Sequence, residues 1–194
     1  MNDRFKIAVA VALLILGSTF VSAQSRDILG WQGTSWGMSQ RDLEDLFGSR
    51  LQKLPKREAF FWRHVDYVIP EFLLDGNTYT VFFQMDDRTN KLDQVLIRLN
   101  EMETRNPREE EFNRLDRLLT KEFGNSTEKS DEKHSEPLVK YRSMYRSRTW
   151  KFPSSTIELY YGWDNQIYAS LLSIRYFAPE HASTATPNNS LDRR

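Results

Sequence analysis

Two stretches of this 194-residue chain, YTVFFQMDDRTNKLDQVLIRLN at 79–100 and IELYYGWDNQIYASLLSIRYF at 157–177, alternate apolar and polar side chains around a polar turn. A period of two places every second side chain on one face of an extended backbone, so each stretch is expected to form an amphipathic β-hairpin. The two also overlie. Phe47-Gly48 and Phe123-Gly124 each close an expected helix, and at the same offset Val81, Phe83 and Met85 fall on Ile157, Leu159 and Tyr161. Past one extra residue in the second turn, Val95, Ile97, Arg98 and Leu99 fall on Leu172, Ile174, Arg175 and Tyr176. Matched element order at a fixed period is the mark of repeated units that bury a shared face. The expected fold class is therefore α+β: two tandem units, each a helix plus an antiparallel sheet of three to four strands.

Local signals fill in this plan. Ser39 suits a helix N-cap, with Asp42 in a capping-box position and Leu43, Leu46 and Phe47 on one stripe, giving a helix over 39–47 that continues raggedly towards Leu54. Strands are expected near 60–68, 78–85 and 92–100, with Pro70 marking an irregularity or an edge. Asn106 and Pro107 open a second helix on which Phe112, Leu115, Leu119 and Phe123 recur at helical spacing. The polar run NSTEKSDEKHSEP at 125–137 reads as a mobile linker, and strands resume near 138–145, 147–152, 156–162 and 167–177. The first unit is thus 24–104 and the second 105–177, while the tail 178–194 is expected to be disordered.

The first 23 residues read as an export signal. MNDRFK is a modestly basic start, IAVAVALLILG is an apolar run shorter than a bilayer span, and VSA offers small residues for cleavage near Ala23-Gln24. The expected address is the bacterial periplasm or beyond, with no transmembrane anchor once the signal is removed. Cysteine is absent, which excludes disulfides, zinc–thiolate sites and cysteine nucleophiles. Hydrophobic residues make up 39%, so stability has to come from a buried core. Basic and acidic side chains balance at 27 each, giving no electrostatic reason to expect nucleic acid.

Gly37-Met38-Ser39, Leu43 and Leu46-Phe47-Gly48 carry a family resemblance. The spacing is similar to the G-M-[TS]-x-x-x-[VL]-x-x-[LI]-x-G signature of small exported bacterial proteins. These include outer-membrane assembly lipoproteins of the SmpA/OmlA type and β-lactamase inhibitory proteins. It also resembles uncharacterised exported proteins that open W-G-M-S, matched here by Trp36 to Ser39. The resemblance implies a sheet-based binding scaffold rather than a particular partner. The lipobox cysteine of the first group and the cysteines of the second are missing.

Few residues suggest chemistry. His134 lies in the expected linker and His181 in the tail, whereas His64 and Asp66 alternate on one strand and could pair a base with its orienter. Asp86-Asp87 and Asp164-Asn165 fall in hairpin turns, where such residues serve the backbone. No nucleophile elbow, zinc-protease helix or phosphate loop occurs. KYRSMYRSRTWKF at 140–152 places Arg142, Arg146 and Arg148 on one strand face, a basic stripe suited to an anionic partner or to a solvated sheet face. Trp31, Trp36, Trp62 and Trp163 are candidate anchors if exposed, and core otherwise. The leading expectation is an exported, non-enzymatic binding, inhibitory or envelope-assembly protein. It would act through an exposed sheet face on another envelope protein or an anionic envelope component, without cofactor or metal. The alternative is a small envelope hydrolase or ligand-binding enzyme centred on His64 and Asp66.

Overall fold

Ser39 caps the first helix as its position demands. Its hydroxyl accepts from the Asp42 amide, and the Asp42 carboxylate accepts from the Ser39 amide, closing a capping box at the head of α1 (Gln40–Phe47). The computed structural model describes residues 27–100, 108–136, 141–166 and 169–179. The expected export signal, Asn106, Pro107, most of the expected tail and His181 lie outside them. Leu43 and Phe47 point inward from α1, but Leu46 stays exposed. Beyond Gly48 only a 3₁₀ turn continues, to Arg50, and the chain then extends.

Four strands follow: β1 (Gln52–Phe60), β2 (Arg63–Leu74), β3 (Asn77–Asp86) and β4 (Leu92–Leu99). After α2 (Glu109–Phe123) come β5 (Glu128–Glu136), β6 (Tyr141–Lys151), β7 (Thr156–Asp164) and β8 (Ala169–Phe177). All eight join one antiparallel sheet in the order β1-β2-β3-β4-β8-β7-β6-β5.

This overturns the expected fold class. The chain is mostly one eight-stranded sheet with two short helices, not two tandem helix-plus-sheet units. The reason lies in β4 and β8. Val95, Ile97, Leu172, Ile174 and Tyr176 are apolar, and a strand carrying them cannot leave its backbone unpaired at a wet edge. They meet instead at the centre of the sheet, with Val95 opposite Tyr176 and Ile97 opposite Ile174. One core cluster then runs from Trp31, Leu43 and Phe47 through Val81, Phe83 and Ile97 to Ile157, Leu159 and Phe112. Both helices pack on that same face.

Two further expectations fail at the outer edge. The supposed linker is a strand, and β6 runs unbroken where two strands were expected. β5 has no apolar residue to announce it. Charge pairs with its neighbours hold it: Asp131 with Arg146 and Arg148, Glu128 with Lys151, and Lys133 with Glu109 of α2. Pro70 does sit at an irregularity, where the β2–β3 register shifts between Ile69 and Phe72.

Candidate functional site

The arginine stripe shares one strand face, but α2 lies across that face. Arg148 is 5% exposed; its guanidinium donates to Asp116 of α2 at 3.1 Å and forks onto both Asp131 oxygens at 3.0 Å. Arg146 donates to Asp131 at 2.7 Å and to Asn113 of α2 at 2.9 Å, and its guanidinium lies 4.2 Å from the Phe112 ring centroid. Partial burial opposes ionisation of Asp131, yet hydrogen bonds from Arg148 and Arg146 outweigh it and hold the carboxyl below its usual range. Burial likewise opposes the Arg148 charge, and Asp131 and Asp116 more than restore it. These two arginines clamp α2 and β5 to the sheet. Arg142 alone of the three is exposed, at the far end of β6, where its backbone pairs with Asn165.

His64 is 4% exposed and has partners on both ring nitrogens. Nδ1 lies 2.7 Å from an Asp87 oxygen and Nε2 lies 3.1 Å from the Asn90 side-chain oxygen, both in the β3–β4 turn. Asp66 stands 3.6 Å from Nε2 and is committed elsewhere: Arg57 of β1 forks onto it at 2.8 and 2.9 Å, and Gln40 of α1 donates at 2.6 Å. The Arg57 hydrogen bond is the main reason its carboxyl is held below the usual range. His64 and Asp66 thus do sit together, as links that tie β1, β2, the β3–β4 turn and α1. No serine or threonine hydroxyl is hydrogen-bonded to the ring among the described residues. Asp66 and Asp87 address opposite ring nitrogens, so they cannot converge with the imidazole on one ion, and among the described residues no cluster is arranged to hold a metal.

The tryptophans divide. Trp31 is buried against Phe47, Phe72 and Phe83, and Trp163 is buried opposite Met144 with its indole N–H unpaired among the described residues. Trp36 is half-buried and donates to the Ser154 carbonyl at 2.7 Å. Only Trp62 stands out at the surface, beside Phe61. His134 lies exposed on β5 near the Tyr145 ring.

The opposite sheet face is differently furnished. One row crosses it from Val68 through Phe82, Leu96, Arg175 and Glu158 to Thr149. The next row runs from Thr80 through Arg98, Ser173 and Tyr160 to Ser147. Arg98 stacks 4.5 Å from the Phe82 ring centroid, and Arg175 is ion-paired with Glu158. Tyr160 lies along the sheet over Gly162, where an added Cβ would come within 3.0 Å of the tyrosine hydroxyl. Among the described residues, no helix packs on this face. An exposed sheet face was expected from the sequence, but with the arginine stripe on it, because alternation says which residues share a face, not which face the helices choose.

Compared with family models, curated proteins and solved structures, the chain matches none of them.

Proposed function

We propose that this is an exported, non-enzymatic binding protein of the bacterial envelope, in the broad class of inhibitory or assembly factors. It engages its partner through the sheet face opposite the helices. The observation that carries this reading is one-sided layering: α1 and α2 share a face, and the other face offers half-buried Tyr145, Tyr160, Leu96 and Arg98. Aromatic side chains and arginine supply large contact area at small entropic cost, which suits a contact surface. Both sheet edges discourage strand addition, since β5 is polar throughout and rich in charge and β1 carries Pro55, Lys53 and Lys56. A face-on mode of binding is therefore favoured over pairing with an edge. The apolar segment near the N-terminus and the resemblance of Gly37 to Gly48 to exported assembly and inhibitory proteins support the envelope address.

The partner is expected to be another envelope protein or an anionic envelope component. A photo-crosslinking residue at position 145 or 160, introduced in cells, is expected to capture a discrete species, while one at position 118 on α2 captures none. Capture from 118 alone, or none from 145 and 160, would remove the reading.

A further inference from the structure

The β1–β2 hairpin turns through only two residues, Phe61 and Trp62. Phe61 has φ +55 and is 95% exposed; Trp62 is 45% exposed, and the ring centroids lie 5.9 Å apart. A positive φ at the first residue of a two-residue loop is a place for glycine, and a bulky aromatic there is strained. The fold thus accepts both a conformational penalty and a fully solvated phenyl ring at one point. The point is also braced. The Trp62 carbonyl accepts from the Asp87 amide at 3.1 Å, and Arg63, ion-paired with Asp93, stacks its guanidinium 5.0 Å from the Trp62 ring centroid. A braced, strained, apolar tip points to a use outside the core.

What it meets is indicated by its size and by what surrounds it. Sheet register puts the hairpin tip, the β3–β4 turn and the β6–β7 turn at one end: Met85 pairs Leu92, Gln94 pairs Phe177, and Phe177 pairs Thr156. Asp27, the first described residue, is bound there, accepting from the Ser154 amide at 2.9 Å and from its hydroxyl at 2.6 Å. The described chain therefore begins at the end that carries Phe61 and Trp62. Exposed Arg88 and Lys91 stand in the neighbouring turn, beside Asp86 and Asp87, the latter engaged by His64. A two-residue protrusion is too small and convex for a stable protein interface, which needs a broad complementary patch. A bilayer surface needs no complementary shape; it takes phenyl rings into its outer hydrocarbon, indoles at the headgroup level and cations at the phosphates.

We propose that the Phe61-Trp62 hairpin tip is a membrane-interface anchor that sets this end of the sheet against a phospholipid surface. The proposal is independent of the partner-binding face. It is tested with the protein as recovered from cells expressing the full sequence, using vesicles of phosphatidylethanolamine and phosphatidylglycerol with bromine-labelled acyl chains. Bromine is expected to quench tryptophan fluorescence of the wild type, and Trp62→Phe is expected to lose that quenched component. Phe61→Gly relieves the backbone strain, so it retains the fold; it is expected to weaken co-sedimentation about tenfold, the scale of one buried phenyl ring. If the N-terminal segment holds the chain on vesicles regardless, Phe61→Gly is still expected to reduce the Trp62 quenching. Equal quenching in wild type and Trp62→Phe would overturn the proposal, as would a Phe61→Gly variant unchanged in both readouts. A concentration-dependent dimer lost in Phe61→Gly, without vesicle binding, would assign the tip to self-association instead.

Discussion

Arg148 shows how a single side chain can look like a binding residue and act as a fastener. Its charge is met by Asp116 and Asp131, and its guanidinium lies 5.2 Å from the Phe112 ring centroid. Arg148→Ala leaves Asp116 without its cation and Asp131, half-exposed, with Arg146 alone, so the expected loss is about 2 kcal/mol of stability. Arg142→Ala is expected to change stability by less than about 0.5 kcal/mol, because its side chain is exposed. Urea unfolding of the two variants makes the comparison. Equal midpoints would mean that the Arg148 pairs contribute nothing. Burial has a parallel effect on tyrosine: it pushes the Tyr79 hydroxyl, which has no hydrogen-bond partner among the described residues, and the Tyr161 hydroxyl up to about 12 each, so both are neutral in the folded protein.

Among the elements, β5 is the one held by charge rather than by apolar burial. The Asp131 carboxyl is held below its ordinary 3.8, so its contribution is fully present above that value and is lost as pH falls through the lower folded-state value. Acid is therefore expected to loosen β5 before β7, whose Ile157, Leu159 and Tyr161 are buried in the core. Amide protection factors for β5 and β7 at pH 5 and pH 3 would show this order. Asp131→Asn is expected to show reduced β5 protection already at pH 5. Simultaneous loss in both strands would mean that β5 has no separate dependence on Asp131. α1 differs in kind, being defined by its capping box and by Leu43 and Phe47 seated against Phe83 and Trp31.

At the scale of the molecule the sheet is continuous. Its middle seam is β4 against β8, and the core cluster crosses it. A fragment of residues 24–104 would present Val95, Ile97 and Leu99 on an unpaired edge. It is expected to give no cooperative thermal transition by circular dichroism, whereas the whole chain gives one. A fragment that melted cooperatively would show that the first four strands and α1 suffice.

Much of the local structure was legible in the residues themselves. Ser39 and Asp42 announced the start of α1, Phe112, Leu115 and Leu119 the buried stripe of α2, and the alternation in 79–85 and 157–161 the inward faces of β3 and β7. These depend on contacts within a few positions, which sequence spacing encodes directly. The pairing of β4 with β8, the recruitment of EKSDEKHSE into an edge strand, and the turn of the arginine stripe towards α2 came only with the tertiary structure. Each depends on partners far along the chain, and a period of two reads the same in a sheet of four strands or of eight. His64 makes the point in miniature: its neighbour Asp66 was visible in the sequence, while the groups that occupy its ring, Asp87 and Asn90, arrive through strand register.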